Sequence, residues 1–430
     1  MVEAEAEAPL ETAPPEIARG WNFHRVASTR TRQSPATPEF HLFCLALRQP
    51  QGVADLAALR QVIAAGAQWE QVLAGTRRHR VASLLLRRLQ ASGSPHPPPD
   101  VIGELRRQAI EAARRSLAQT AELARLSRIF RQAGVPLLAL KGVALSAQLY
   151  GDPTLRDARD VDLLVDPTDY DAAGALLVAA GYRRLGEALT PRQSAAYRRW
   201  AKEAEFAHPA SGLRVELHHR WTDNARLVSV DFATLWRERG EARLAGETVA
   251  TPGRRHLGLY LALHGAIHCW ERLQWLVDFA AAQRQPGAID TTLAAAEAAD
   301  VTAPVLQALS LAHDWLGLRV EQRHLDRAQA SRRVARLDRI LARSYTPDAW
   351  HQAPPEKSLA EFLRYSVWLR LYAYSLKAGW TYRKHQVMRE FVAPADWKVV
   401  RLPDRLFWLF FFIRPFGWLV RRWAGKWAGR

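Results

Sequence analysis

Residues 160–165, DVDLLV, alternate acidic and apolar side chains, and this alternation constrains the fold more than any other segment of the chain. Successive side chains of a β-strand point to opposite faces of a sheet. The apolar side chains then share the core face: Val161, Leu163 and Val165. Asp160 and Asp162 stand side by side on the other face. The segment therefore predicts a half-buried strand that carries two adjacent carboxylates.

The segments around this strand predict a compact α/β domain over residues 126–245. VPLLAL is a short apolar run that indicates a buried strand, and VALSAQLY after it indicates a helix. Thr168 is placed to cap a helix through DYDAAGALLVAA, and Gly181 stands where a C-cap glycine belongs. EAEFAHP and LRVELHHRW flank a Pro-Ala-Ser-Gly turn, which predicts a hairpin.

Helical periodicity surrounds this domain on both sides. It predicts a helical region over 38–125 and a helical domain over 254–345. A long helix from residue 101 to about 132 is expected to continue from the first region into the α/β domain. Residues 1–37 read as a flexible leader, and residues 350–430 form a basic, aromatic-rich C-terminal region. The expected fold class is α+β, with a small mixed sheet between N- and C-terminal helical regions.

The formal net charge of the 430 residues is +17, which favours polyanionic partners such as nucleotides, nucleic acid or an anionic membrane surface. Part of this charge reflects an arginine-rich composition, and no nucleic-acid-binding motif is present, so nucleic acid is disfavoured as a partner. Two cysteines exclude a disulfide framework. The acidic, proline-rich start does not resemble a signal peptide, and the expected location is the cytoplasm.

Two neighbouring carboxylates repel each other unless a cation neutralises them. Magnesium prefers carboxylate oxygens together with substrate phosphates, so Asp160 and Asp162 are candidate catalytic residues and ligands for Mg²⁺ or Mn²⁺. A third carboxylate, Glu216, shares one face of the LRVELH segment with Arg214 and His218. If the two strands are neighbours, Glu216 completes an acidic cluster, and His218 is a candidate substrate-facing residue.

Candidate phosphate-binding residues precede the acidic pair. Lys141 and Gly142 follow the first predicted strand and open a helix, where unpaired backbone N–H groups and the helix dipole favour anions. Arg156 and Arg159 lie just before Asp160 and are candidate nucleotide-binding residues, although a structural role as ion-pair partners of the acids is the more ordinary one.

These residues together resemble a known family. The run from 134 to 182, with its LKG, Tyr, Arg and DVDLLV motifs and the later VELH strand, resembles the uncharacterised bacterial nucleotidyltransferase family of the polymerase-beta-like superfamily. The resemblance covers roughly residues 38–345. It implies a polymerase-beta-like nucleotidyltransferase domain that uses a metal ion and a nucleoside triphosphate (NTP). One departure is that the wider superfamily has a Gly-Ser pair at the phosphate turn, where this chain has Lys141 and Gly142.

The helical part of the family is similar to residues 261–280, with His264, His268 and a closing Asp278. The HGAIH spacing lacks the glutamate of a zinc-binding HExxH motif, so we interpret these histidines as interface residues, with His264 also a candidate substrate-facing residue.

Two interpretations of function follow from the sequence. The first is a metal-dependent nucleotidyltransferase that passes a nucleoside monophosphate from an NTP to a peptide, sugar or lipid-linked acceptor, by resemblance in natural-product or polysaccharide biosynthesis. The second is a non-catalytic nucleotide- or peptide-binding module with the same fold. In the C-terminal segment LFWLFFFIRPFGWLVRRWAGKWAGR, the apolar run over residues 406–413 is too short to span a bilayer. It predicts either packing on the protein's own core or peripheral contact with the inner face of the membrane.

Overall fold

The structure, a computed structural model, describes residues 37–48, 52–91, 97–186, 190–344, 359–391 and 402–409. The predicted leader, apart from residue 37, lies outside the described residues. The prediction of membrane contact depends on residues 406–430, and all of these from residue 410 onward also lie outside the described residues.

The first helices of the described chain are α1 (Pro38–Leu47), α2 (Val53–Ala64), α3 (Trp69–His79), α4 (Ala82–Ala91) and α5 (Pro99–Gln132). The 34-residue helix α5 confirms the predicted long helix and begins two residues earlier than expected. Pro99 occupies its first turn, where the missing N–H is tolerated and the fixed φ favours helix initiation.

The main sheet contains β1 (Leu138–Ala139), β2 (Val161–Leu164), β3 (Arg183–Arg184), β4 (Glu203–Ala207) and β5 (Arg214–His218). Its order is β1-β2-β5-β4-β3, with β2 and β5 parallel and the other pairs antiparallel. The helices between these strands are α6 (Gly142–Tyr150), α7 (Tyr170–Ala179) and α8 (Pro191–Trp200). The small mixed sheet and the β4–β5 hairpin confirm the corresponding predictions.

Strand β2 differs from its prediction in burial. All four of its residues are buried, so the expectation of a half-buried strand was wrong. Val161 and Leu163 face one apolar cluster, which includes Phe130 of α5. Leu164 faces a second apolar cluster together with Tyr260. The central strand is thus covered on both faces, and its polar side chains lie in an interior site.

The ends of α7 were predicted with mixed success. Thr168 does not cap the helix, because Asp169 occupies the N-cap position and the Thr168 hydroxyl donates to Asp166 Oδ1. Gly181 follows the C-cap with φ +97° and donates its N–H to the Val178 carbonyl, as predicted for a helix-terminating glycine.

The rest of the described chain contains α9 (Phe232–Arg237), β6 (Gly240–Leu244), β7 (Glu247–Thr251), α10 (Arg254–Ile267), α11 (Leu273–Gln283), α12 (Ala288–Ala298), α13 (Thr302–Leu316), α14 (Gln322–Ala330), α15 (Arg332–Ser344), α16 (Leu359–Ser375), α17 (Trp380–Phe391) and a 3₁₀ helix (Asp404–Leu409). Helices α10–α15 lie within residues 254–345, where the sequence predicted a helical domain. The β6–β7 hairpin was not predicted, because its turn uses Ala245 and Gly246, both at positive φ, instead of an Asn-Gly or Asp-Gly pair.

The N-terminal and C-terminal helices share one apolar core. The Phe40 ring of α1 packs edge-on against Trp315 of α13, with ring centroids 5.1 Å apart. The same cluster extends through α4 and α11 to the sheet at Leu164. The two helical regions therefore form a common body against one face of the sheet. Within the described ranges, the helices are too short or too polar for any of them to cross a membrane.

Candidate active site

The parallel pairing of β2 with β5 builds the centre of the site. Its register places Asp162 directly beside Glu216, and His218 lies two residues further along β5 on the same face. His218 Nε2 lies 3.2 Å from Asp162 Oδ1 and 3.5 Å from Glu216 Oε2. One ligand atom from each of these three residues lies within 4.8 Å of the other two. Asp162 and Glu216, which the sequence proposed as metal ligands, are thus brought together.

Lys141 reaches into this group from the end of β1. Its Nζ lies 2.7 Å from Asp162 Oδ1 and 3.8 Å from Asp160 Oδ1. Burial opposes the charged ammonium, but the charges of Asp162 and Asp160 prevail and raise the pKa of Lys141. In the structure, Lys141 therefore contacts the acidic pair. The sequence analysis had proposed that it contacts phosphate.

Asp162 is buried and keeps its negative charge. Burial alone would raise its pKa, but Lys141 and His218 hold the pKa of this carboxyl well below its usual range. Its second oxygen, Oδ2, is buried and has no hydrogen-bond partner among the described residues. A buried carboxylate oxygen without a partner is costly unless a cation or donor meets it. The residues present therefore fit a bound divalent cation.

Asp160 occupies a different environment. It precedes β2, its side chain is 30% exposed, and it does not belong to the group of ligand atoms around Asp162. Gly142 packs against its backbone: a Cβ at Gly142 would lie 3.4 Å from the Asp160 carbonyl oxygen, and the φ of Gly142 is +72°. Both features favour glycine at the start of α6. This close approach holds the Lys141–Gly142 turn against the entrance to β2.

Arg156 and Arg159 form ion pairs with aspartates outside the acidic group, Asp278 and Asp157. Arg156 Nε donates to Asp278 Oδ2 at 2.8 Å, and the Tyr150 hydroxyl donates to the other oxygen of Asp278 at 2.8 Å. Burial nevertheless raises the pKa of Asp278. Arg156 thus lies in a buried ion pair between the sheet domain and α11. The Arg159 side chain is 54% exposed, and its Nε lies 3.8 Å from Asp157 Oδ1.

Sequence reasoning missed Glu203 as a member of the site. It lies opposite His218 in the β4–β5 register, and its Oε2 is 3.2 Å from His218 Nδ1. Burial and the charge of Glu216 raise the pKa of Glu203, against the opposing effects of His218 and Lys202. The signal was present in the EAEFA segment, where the glutamates alternate with buried Ala204 and Phe206. Side-chain alternation on β4 would have assigned Glu203 to the face of Glu216.

His218 connects these carboxylates. Burial and Lys202 oppose its charged form, but hydrogen bonds to Asp162 and Glu216 and the charge of Glu203 leave its pKa raised. These neighbours thus stabilise the charged ring more than water stabilises a free imidazolium. A divalent cation and a charged imidazolium compete for the same oxygens.

His264 and His268 lie on α10 and at its C-terminus, at the helical wall of the site. Their ring centroids are 4.9 Å apart, and both rings contact Trp275. Burial lowers the pKa of both histidines, and each also lies close enough to Lys141 for the ammonium charge to lower it further. They form a neutral aromatic wall, and the structure places His264 near the site without a hydrogen bond to its acids.

Comparison with known proteins identifies the family. A family model described as uncharacterised nucleotidyltransferase matches residues 65–317, which is more than half of the chain and contains all the site residues above. The chain therefore belongs to this nucleotidyltransferase family. No curated protein matches the chain significantly.

Proposed function

We propose that the protein is a metal-dependent nucleotidyltransferase that transfers a nucleoside monophosphate from an NTP to an acceptor. The observation that carries the proposal is the β2–β5 register, which aligns Asp162 with Glu216 and leaves Asp162 Oδ2 without a partner. Membership of a nucleotidyltransferase family supports the same reaction class. The family does not define the acceptor; a hydroxyl of a peptide, sugar or lipid-linked molecule is proposed from the resemblance of the sequence.

Asp162, Glu216 and Asp160 would hold Mg²⁺ or Mn²⁺, which when bound neutralises the phosphates and the leaving pyrophosphate. In the proposed reaction an acceptor oxygen bonds to the α-phosphorus while the bond from that phosphorus to the bridging oxygen breaks. The bond electrons leave with pyrophosphate. Glu216, with a side chain 23% exposed, is the carboxylate best placed to accept the proton of the acceptor hydroxyl.

The neighbouring residues have supporting roles in this proposal. Lys141 balances the charge of Asp162 and holds it in position, and His218 orients Asp162 and Glu216 through its Nε2. Gly142 allows the turn to approach Asp160 closely. We propose that Arg156 acts through Asp278 as a positioning residue, whereas the exposed Arg159 remains available to phosphate. His264 is proposed to face the substrate as part of the helical wall.

A second candidate is a nucleotidyltransferase fold kept for binding nucleotide or peptide without turnover. It is favoured by one observation, the Lys141–Asp162 ion pair, in which an ammonium already lies 2.7 Å from a proposed metal ligand. Catalysis requires that a cation bind beside this ammonium, whereas a binding module does not.

The experiment that separates the two candidates measures pyrophosphate release. The full chain is incubated with each of the four NTPs, Mg²⁺ and a cell extract as acceptor source, and nucleotidylated products are identified by mass spectrometry. Catalysis predicts pyrophosphate release that requires Mg²⁺ and falls at least about 100-fold in Glu216→Gln. Glu321→Gln, at a carboxylate outside the site, serves as the matched control. Equal release by wild type and Glu216→Gln would refute the assignment.

A further inference from the structure

Three arginines from separate segments converge beside Asp160, and this group is called the arginine cluster: Arg80, Arg159 and Arg272. Arg80 directly follows α3, Arg272 directly precedes α11, and Arg159 directly precedes Asp160. Only Arg159 was a candidate from the sequence, because the other two lie far from the acidic motif along the chain.

A buried hydrogen bond joins the segments that carry Arg80 and Arg272. The Leu273 N–H donates to His79 Nδ1 at 3.1 Å, so the residues adjacent to this pair, Arg272 and Arg80, lie at one junction of α3 and α11. The ring of Trp275 further positions Arg272, whose guanidinium carbon lies 5.3 Å from the ring centroid.

The backbone at this junction is held in an uncommon conformation. Arg80 has φ +56°, and Cys269 and Trp270 in the loop before Arg272 have φ +51° and +52°. Such conformations persist only where the surrounding structure enforces them, and they are concentrated at functional sites. Gly265 contributes to the enforcement, because a Cβ there would lie 2.1 Å from the Trp270 ring. Packing of the surrounding structure therefore fixes the conformation of the loop that carries Arg272.

The cluster has an excess of positive charge. Burial and the charges of Arg272 and Arg159 lower the pKa of Arg80 to about 10, against the weaker opposing effects of Asp157 and Asp160. Asp157 is already paired with Arg115 at 2.9 Å. The charges of Glu271 and Asp160 act on Arg272 against those of Arg159 and Arg78, so arginines still outnumber the carboxylates that are not already paired elsewhere. Guanidinium groups held together in this way favour an anion with several oxygens.

We propose that Arg80, Arg159 and Arg272 bind the β- and γ-phosphates of the nucleotide. The inference rests on the proposed nucleotidyl transfer and names the residues that would receive the leaving pyrophosphate. Its geometric basis is the position of Asp160. The charge of this residue acts on both Arg80 and Arg272. Its Oδ1 lies 3.8 Å from Lys141 Nζ, which in turn contacts Asp162 Oδ1 at 2.7 Å. A triphosphate held at its outer end by the arginines presents its α-phosphate toward the carboxylates. The Lys141–Gly142 turn, whose lysine is engaged with the acids, is then not the main phosphate-binding element.

Inorganic tripolyphosphate tests the site without requiring turnover. Binding to the full chain is measured by calorimetry with Mg²⁺ present, for wild type, Arg80→Gln and Arg272→Gln. We expect each substitution to weaken binding roughly 10-fold or more, because each removes a charge-assisted contact. The control is Arg327→Gln, which removes the same charge at an exposed arginine that pairs with Glu297 on α12, away from the cluster. Thermal unfolding of each variant checks that the fold is retained.

The outcomes separate this inference from the proposed function. Weaker tripolyphosphate binding in the two cluster variants, with the control unchanged, supports the arginine site even if no NTP yields pyrophosphate. A chain that turns over NTP while both cluster variants keep wild-type tripolyphosphate affinity and NTP KM overturns the arginine site and leaves the proposed function intact. No binding of tripolyphosphate by wild type, or equal weakening in Arg327→Gln, also overturns it. Where turnover is measurable, the NTP KM is expected to rise more than kcat falls.

Discussion

The described chain contains two groups of aspartate, glutamate and histidine whose ligand atoms are close enough to hold a metal ion, and they differ in almost every other respect. The first, Asp162, Glu216 and His218, lies on adjacent strands beneath the helical body. The second is formed by Asp290, Glu321 and His324 near helices α12 and α14. Both contain a histidine Nε2 close to an aspartate Oδ1, at 3.2 Å and 3.0 Å respectively.

Burial and charge balance distinguish the two groups. Asp162 has no exposed side-chain surface and retains an oxygen without a partner, whereas the Asp290 and Glu321 side chains are 54% and 64% exposed. Arg323 bridges the second pair of carboxylates, with contacts of 3.0 Å to each. Water and one guanidinium therefore already satisfy that group. Ligand spacing alone does not define a candidate metal site; the unsatisfied, rigidly held oxygen is the more specific feature.

Among substitutions in the first group, we expect Asp162→Asn to have the largest effect on activity and stability. The substitution removes a proposed metal ligand and leaves the buried Lys141 ammonium without its closest counter-charge. We expect pyrophosphate release to fall at least about 100-fold and the free energy of unfolding to fall by about 3–5 kcal/mol. Activity is measured on folded protein, and stability by denaturant titration. The combined change Lys141→Met with Asp162→Asn should restore part of the stability but not the activity. Activity within threefold of wild type would contradict the role of Asp162.

Metal affinity provides a direct comparison of the groups. Titration with Mn²⁺ should show one site whose affinity falls roughly 10- to 100-fold in Glu216→Gln, because a carboxylate in the proposed coordination group is lost. Glu321→Gln should leave that affinity unchanged, since Glu321 already pairs with Arg323. Calorimetry or the electron paramagnetic resonance of free Mn²⁺ measures both. Loss of affinity in Glu321→Gln alone would reverse the assignment and place the metal at the helical surface.

Another buried carboxylate, Asp278, extends the comparison because both of its oxygens have protein partners. Tyr150→Phe removes one of its hydrogen bonds, and we expect a loss of about 1 kcal/mol in the free energy of unfolding. Mn²⁺ affinity should not change, because this carboxylate is satisfied within the protein by Arg156 and Tyr150. Denaturant titration and Mn²⁺ titration on the same sample measure the two effects. A change in metal affinity with no change in stability would instead make Asp278 a part of the metal site.

The sequence was sufficient to predict those parts of the site that depend on strand periodicity. The alternation of DVDLLV and LRVELH assigns Asp162 and Glu216 to polar faces, and the structure pairs these strands in register. The pattern on β4 carried the same information for Glu203 but was interpreted only as part of a hairpin. Period-two alternation is local, so it can be read before the fold is known.

The partners of the cations depend on tertiary packing and could not be predicted in this way. Lys141 was assigned to phosphate on the basis of its position at a helix N-terminus, yet its side chain turns toward Asp162. Arg156 pairs with Asp278, which lies 122 residues further along the chain. The second face of β2 is buried because α10 and its neighbours pack against it. The sequence of the strand alone does not predict this packing. A long cationic side chain reaches many partners, and only the packed structure decides which one it meets.

The smallest expected effect is that of Asp290→Asn in the surface group. The substitution removes contacts to Arg323 and His324, but the aspartate side chain is 54% exposed and water replaces what is lost. Exposed ion pairs typically contribute less than 1 kcal/mol, so we expect the free energy of unfolding to change by no more than about 0.5 kcal/mol. Pyrophosphate release should stay within about twofold of wild type. His324 is the residue through which Asp290→Asn could affect stability. Its ring is largely buried, and its Nδ1 has no hydrogen-bond partner within the described part of the chain. A loss above 2 kcal/mol would show that Asp290 holds this ring in place, and the surface group would then be a structural element of the α12–α14 contact.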